Sequence, residues 1–371
     1  MMIEQEHNNV QWKKVKLEDV GEIISGGTPS TTNETFWDGD VLFVTPLDLG
    51  RKNKIDSTLR TISELGVKNS SANKIKAHSL AISTRAPIGL MSIVNQDFTT
   101  NQGCKSIQFY DSYDSEFFYY YLSYNVEKIQ RYGQGTTFME ISKTDFSNLE
   151  FTVPDLSTQR RIAAILTSAD KVIAATQKTI AKYKQIKQGM MEDLLKPKEG
   201  WKMVKLGECC EDIFSGKNTT RQDFGKYVVY GSTGPIGYSE DYEYDFDAVL
   251  VARVGANAGL VNKVSGLYDV SDNTLIIKIL KNIDLNYLYY LLIHLNLNQF
   301  IFGSGQPLVT AGLLKKIEIP IPYKNGKPDL AEQRRIAAIL SGIDAKIAAE
   351  EKVLEKYEKV KKGLMEKLLN D

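Results

Sequence analysis

No stretch of the chain approaches the 18 or more apolar residues needed to cross a bilayer. Its start, MMIEQEHNNV, lacks the basic-then-apolar layout of a secretory signal, so a cytoplasmic protein without membrane contact is expected. Cysteine is scarce. Cys104, Cys209 and Cys210 form an odd set with two adjacent members, which suits neither a disulfide framework nor a metal knuckle and points to core positions. The histidines, His7, His78 and His294, are too scattered for a triad or a metal site. An excess of positive charge is also missing: 46 Lys and Arg balance 46 Asp and Glu, which withholds the basic footprint usual for nucleic-acid binding. The balance is uneven along the chain. Residues 50–85 carry eight basic side chains (Arg51, Lys52, Lys54, Arg60, Lys68, Lys74, Lys76 and Arg85) against Asp56 and Glu64, so one positive face is expected. With 42% hydrophobic and 25% charged residues over 371 positions, the chain reads as two or three globular units.

An internal repeat organises it. Residues 156–195 align without gaps to 330–369, and 22 of 40 positions are identical. A second echo opens each half, Trp12-Lys-Lys-Val-Lys-Leu17 and Trp201-Lys-Met-Val-Lys-Leu206. A third closes each body, Leu149-Glu-Phe-Thr-Val-Pro154 and Ile317-Glu-Ile-Pro-Ile-Pro322. In the first long repeat Ile162, Leu166, Ile173, Ile180, Tyr183, Met190 and Leu194 follow a heptad seam; Ile336, Leu340, Ile343, Ile347, Leu354, Tyr357, Leu364 and Leu368 keep the same phase in the second. The seam is broken by polar residues at matching places, Thr176 and Lys187 against Glu350 and Lys361, which suggests that the two helices pair with each other. Asp329 with Glu332 has the spacing of a capping box, and at about 1.5 Å per residue each helix is roughly 60 Å long. The expected fold is α+β. Two globular domains of mixed sheet and helix, residues 1–155 and 197–329, are joined by long antiparallel coiled-coil helices at 156–196 and 330–371, with pseudo-two-fold symmetry from the duplication.

Between the repeats the bodies share little sequence. Val41–Val44, Leu80–Ile82, Ala248–Ala252 and Thr274–Ile279 read as strands, and 115–129 and 285–301 as aromatic-rich helices. Several loops carry groups suited to DNA: Gly26-Gly-Thr-Pro-Ser30 offers backbone N–H groups and hydroxyls, and Thr84-Arg-Ala-Pro-Ile-Gly89 presents Arg85. Thr100-Asn-Gln-Gly-Cys-Lys105 sets amides beside a lysine. Counterparts in the second body are Gly231-Ser-Thr-Gly-Pro-Ile-Gly237, Arg253-Val-Gly-Ala-Asn257 and Ser271-Asp-Asn-Thr274. Both bodies end in a Gly-Gln segment, at 133–137 and 303–307.

The paired QRRIAAIL helices, the Trp-x-x-Val-x-Leu openings, the SGGTPS, TRAPIG and TNQGCK loops and the GSGQPLVTAGLLKKIEIPIP closing segment resemble the specificity subunits of type I restriction-modification systems, over essentially everything after residue 11. The resemblance implies a non-catalytic subunit whose two target recognition domains each read one half of a split asymmetric site on double-stranded DNA. It also implies that the helices set the spacer and dock two modification methyltransferase subunits, which restriction/translocase subunits join. No cofactor is expected in this chain; S-adenosylmethionine belongs on the methyltransferase, ATP and Mg on the restriction subunit. By the same resemblance, candidates for the first half-site are Arg51, Lys52, Lys54, Lys74, Lys76, Arg85, Asn101, Gln102, Lys105 and Gln134, and for the second Lys217, Arg221, Arg253, Asn257, Asn273 and Gln306. Arg160, Arg161, Arg334 and Arg335 oppose the dipole of their first helical turn and call for carboxylate partners, on the methyltransferase or on this chain's own domains.

Enzymatic readings fare worse. No glycine-rich cofactor loop or Asn/Asp-Pro-Pro-aromatic motif of an adenine methyltransferase is present, and Phe214-Ser-Gly-Lys-Asn-Thr219 lacks the first glycine of a phosphate loop, which is Glu211. A coiled-coil scaffold without sequence-specific DNA reading is the alternative, but it has no need for two large divergent bodies.

Overall fold

A computed structural model describes residues 11–133, 140–300 and 308–370. The chain divides into two compact units, Met1–Ala175 with Leu354–Asp371, and Thr176–Val353. This division differs from the four-segment reading because each long helix gives a part to each unit.

The first unit contains strands β1 (Lys13–Lys16), β2 (Gly21–Ser25), β3 (Trp37–Val44), β4 (Lys54–Ile55), β5 (Arg60–Ile62), β6 (Ser79–Ser83), β7 (Met91–Val94), β8 (Phe98–Thr100), β9 (Cys104–Phe109) and β10 (Glu150–Val153), with helix α1 (Ser115–Tyr124). The second contains β11 (Trp201–Lys205), β12 (Cys210–Ser215), β13 (Tyr227–Gly231), β14 (Gly234–Ser239), β15 (Ala248–Ala252), β16 (Val261–Val264), β17 (Tyr268–Val270), β18 (Thr274–Ile279), β19 (Glu318–Lys324) and β20 (Lys327–Pro328). The long helices are α2 (Leu156–Leu195) and α4 (Leu330–Leu368), and α3 (Leu285–His294) is the body helix of the second unit.

The strand orders repeat. One sheet runs β2-β9-β6-β7-β4 and its counterpart β12-β18-β15-β16. A second layer places β3 between antiparallel β5 and parallel β8, and β13 between antiparallel β14 and parallel β17. The apolar runs explain this layering. In β15, Val249 and Val251 enter one cluster with α3 while Ala248 and Leu250 enter another, so a strand buried on both faces needs no polar alternation. Likewise Leu80 and Ile82 of β6 join the α1 cluster and Ala81 the opposite one. The expected strands all form. The body helices are interrupted rather than continuous: α1 breaks at Asn125, whose side chain bonds the Tyr121 carbonyl, and a second helix follows over Val126–Arg131, while α3 ends before Asn296, which adopts φ 47°, and a 3-10 turn follows over Leu297–Phe300. Residue 301 lies outside the described residues.

Within each unit the long helices pair antiparallel. In the first, Ile162 and Leu166 share a core with Leu368 and Leu369; in the second, Met191 and Leu195 share one with Ile336 and Leu340. Of the expected seam residues, Ile162, Leu166, Ile180, Ile336, Leu340, Ile347 and Leu368 are buried, and Ile173, Tyr183, Met190, Leu194, Ile343, Leu354 and Leu364 half-buried. Tyr357 is the exception at 38% exposed, so the seam does not enclose its phenol ring.

The polar breaks have partners. Lys361 pairs with Asp170 at a side of α2 that also receives the Tyr120 hydroxyl at 2.6 Å from Asp170, and Lys187 lies 2.7 Å from Asp344, which accepts from Tyr290 at 2.7 Å. The two clusters are the same cluster repeated, each joining both long helices to a body helix. A second tie was masked by the neighbouring arginines: Gln159 and Gln333 are fully buried, accepting the backbone N–H of Asp114 at 3.0 Å and Asp284 at 2.9 Å. At the start of α4, Asp329 caps the N–H groups of Ala331 and Glu332, but the expected reciprocal half of the box is absent because the Glu332 carboxylate is held bidentate by Arg335.

Candidate nucleic-acid interface

In the first unit the ends of β2, β6 and β8 bring four loops together. Gly26 and Gly27 donate their N–H groups to the Cys104 and Thr100 carbonyls, so these amides are spent on the chain itself rather than offered to a phosphate. Glycine is required there for space: a Cβ at Gly26 would stand 1.9 Å from the Asn101 carbonyl oxygen. What remains outward is polar and side-chain borne. Thr28 donates its hydroxyl to the Gln102 side chain, Asn101 Oδ1 accepts from the Gly103 N–H at 3.1 Å, and Arg85 Nε sits 2.9 Å from Glu140. Arg85, Asn101 and Gln102 are thus gathered as expected.

Other candidates are not. Lys105 is 4% exposed; its ammonium donates to the Ile141 carbonyl at 2.6 Å and Thr84 Oγ1 at 3.2 Å, and burial lowers its pKa. The strand alternation of β9 turns it inward, where it supports the loops. Lys76 bonds Gln108 through its backbone at the far end of β9, and Lys74 is held by Glu64 at 2.8 Å, which raises its pKa. Lys54 is paired with Glu116. Arg51 and Lys52 lie in the loop between β3 and β5, apart from this gathering. Gln134 is outside the described residues, as is Gln306 in the second body.

In the second unit the equivalent loops enclose a cleft of about 710 Å³. Arg221, Asn257 and Asn273 line it as expected, and Asn218, Thr219, Ser232 and Asp272, which the sequence reading passed over, line it too. Asp272 and Ser232 stood inside motifs already singled out; taking whole loops rather than selected amides would have found them. Lys217 is drawn off by Glu243 at 2.7 Å. Arg253 points elsewhere, half-buried with Nη1 3.3 Å from Ser215 Oγ. Its apparent equivalence to Arg85 fails by one residue: Ile141 donates to the Thr84 carbonyl where Val309 donates to that of Arg253, so Arg253 answers Thr84 and Arg85 answers Val254. Adjacent strand-end positions face opposite ways. Chemically, the cleft offers a guanidinium for guanine, amides for adenine, a carboxylate for the cytosine amino group and hydroxyls for either.

Of the four helix-start arginines, Arg334 lies 3.8 Å from Asp284 and Arg335 pairs with Glu332, so their carboxylates come from this chain; Arg160 and Arg161 are exposed. Among the described residues no helix is long and apolar enough to cross a membrane, and all three cysteines are buried and free.

Residues 9–185 and 198–359 each match the family described as the type I restriction modification DNA specificity domain. The chain belongs to this type I specificity family. Among relatives of the specificity family, the type I restriction enzyme EcoprrI specificity subunit of Escherichia coli is 25% identical over 366 residues, covering 90% of this chain and 88% of that protein. The MjaIX specificity subunit of Methanocaldococcus jannaschii is 32% identical over 171 residues; the match spans 45% of this chain and 40% of the length of that relative. The fold is shared with the type I restriction-modification S subunit from M. genitalium, at TM-score 0.67 and 17% identity over 98% of this chain and 97% of that one. It is shared also with a chain from work on complex assembly and conformational transition of the type I R-M system, at TM-score 0.61 and 18% identity over 97% of both chains.

Proposed function

We propose that this chain is the DNA-reading, non-catalytic specificity subunit of a type I restriction-modification complex in the cytoplasm. Each body reads one half of a split asymmetric target on double-stranded DNA, and the helix pair sets the spacer and docks modification methyltransferase subunits. The observation that carries this reading is one scaffold built twice with divergent loops: equivalent strand ends present Thr28, Arg85, Asn101 and Gln102 in one unit and Arg221, Asn257, Asp272 and Asn273 in the other. A scaffold for protein binding alone gains nothing from that divergence, whereas two different base sequences require it. Zero net charge fits a subunit that supplies base contacts while its partners supply much of the phosphate attraction. S-adenosylmethionine on the methyltransferase, and ATP with Mg on restriction/translocase subunits, complete the system.

The test is co-expression with the host's adenine methyltransferase subunit, purification, and single-molecule sequencing of the modified DNA. A split motif methylated in both halves, absent when this chain is omitted, is expected. Stable assembly with no methylation sinks the reading in favour of a scaffold.

A further inference from the structure

The two bodies differ most at one hairpin. In the second unit β13 and β14 are joined by a two-residue turn, Ser232-Thr233, whereas in the first the matching strands β3 and β5 are separated by residues 45–59. This inserted segment is a built Ω-loop, of the compact kind that is frequently functional. Asp48 closes it, one carboxylate oxygen accepting the Thr45 N–H at 2.8 Å and the other the Leu59 N–H at 2.8 Å. Its middle forms β4 along the edge of β7, through Lys54 and Ile55 beside Ile93 and Val94. Asn53 moors it to Tyr119, Tyr120 and Asp170, the cluster that joins α1 to α2.

A loop so firmly held leaves an unusual surface outward. Leu47 and Leu59, 67% and 69% exposed, line one hollow of about 260 Å³ together with Arg51 and Lys52. Asp48 and Asp56 share the lining, but their carboxylates accept from Thr45, Leu59 and Asn95; neither Arg51 nor Lys52 forms an ion pair among the described residues, while Lys54 beside them is neutralised by Glu116. Duplex DNA would use the cations but offers no apolar surface for two adjacent leucines; a protein partner uses both. An amphipathic segment carrying acidic and apolar side chains complements all four residues.

We propose that the 45–59 loop is a protein-docking site for one methyltransferase subunit, absent from the second body, so that the two methyltransferases bind this chain unequally. This rests on the functional reading above, which supplies the partner; the asymmetry comes from the loop.

The experiment compares the full wild-type chain with Leu47→Ser/Leu59→Ser and Arg51→Glu/Lys52→Glu variants. Each is co-expressed with the methyltransferase subunit, and native mass spectrometry over a dilution series counts copies per chain. The wild type is expected to hold two copies of unequal affinity, and in both variants the tighter copy is expected to weaken at least tenfold, toward the affinity of the copy held without the loop. The copy held without the loop reports that the variant chain is folded. Two copies held at wild-type affinity by both variants overturn the proposal. So does loss of both copies together, or weakened DNA binding with two copies still held, which would make the loop a DNA contact. A wild-type chain that binds no methyltransferase overturns the functional reading itself, and this proposal with it.

Discussion

The repeated Tyr–Asp–Lys clusters make an asymmetric prediction about stability. In the second unit, the Lys187 and Asp344 side chains are 21% and 36% exposed, so the pair is partly desolvated. Removing one partner of a fully buried pair costs roughly 3–5 kcal/mol, and of an exposed pair about 0–1. Interpolation gives about 2 kcal/mol for Asp344→Leu, which strands the Lys187 ammonium in the seam and also removes the nearer acceptor of the Tyr290 hydroxyl, leaving it Ser341 Oγ at 3.2 Å. Lys187→Met removes the cation that must be desolvated, places an apolar side chain at a heptad position and leaves Asp344 its tyrosine, so a change within about 1 kcal/mol is expected. The pair exists at a cost, and the aspartate carries more than the lysine. Because the chain has two units, a single unfolding midpoint is ill-defined, and native-state hydrogen exchange at amides of α3 and the first half of α4 is the proper readout. Asp344→Leu should raise their opening constant about thirtyfold, Lys187→Met less than about fivefold, and the double variant should return toward wild type. The repeat supplies its own control: Asp170→Leu and Lys361→Met should show the same order in the first unit, with a larger aspartate effect because Asp170 also accepts from Asn53. Equal costs for lysine and aspartate would falsify the assignment of the aspartate as hub.

Asn257→Ala and Asn273→Ala should each relax base preference in one half of the methylated motif by roughly 5- to 150-fold and leave the other half unchanged, as sequencing of modified DNA will report. Lys105→Met should cost about 1–3 kcal/mol by orphaning the Ile141 carbonyl, without altering the bases read. Asp155, at the start of α2, accepts from the Ser157 hydroxyl and the Thr158 N–H, which holds its carboxyl down to about 2 from an ordinary 3.8. Its contribution is therefore present above about pH 4 and lost as pH falls toward 2. Asp155→Asn should flatten that acid limb in thermal melts of the first unit, and an unchanged limb would remove Asp155 as its source. Burial pushes the Cys104 and Cys209 thiols up to about 12 and Cys210 to about 11, so at pH 8 on the order of one thiol in a thousand or fewer is ionised. Iodoacetamide should therefore label none of the three before denaturation; labelling of native protein, seen by mass, would contradict the burial.

How much of this was legible in the sequence depends on whether the signal is local. The duplication and the heptad phase were visible because helical periodicity is written in consecutive residues. Lys187 and Lys361 were visible as breaks, but their partners were not: Asp170 and Asp344 lie off the seam, and nothing local says that a tyrosine from a distant body helix will reach them. Gln159 and Gln333 were passed over beside their arginine pairs, since a buried glutamine is recognised only by the distant N–H it satisfies. In the bodies, composition located the loops but not their faces. Lys105 turns toward the Ile141 carbonyl and Arg253 toward Ser215, directions that composition does not show because a strand's facing is set by pairing with strands far along the chain. The same fact explains why the bodies share a fold with so little shared sequence. The bonds that fix the loop roots are backbone bonds, Gly26 to the Cys104 carbonyl in one unit and Gly216 to that of Thr274 in the other. Such bonds constrain side chains only where space is tight, as at Gly26. Loops rooted this way are free to exchange their outward side chains without loosening the scaffold, which is the property a protein needs if one architecture is to read many DNA sequences.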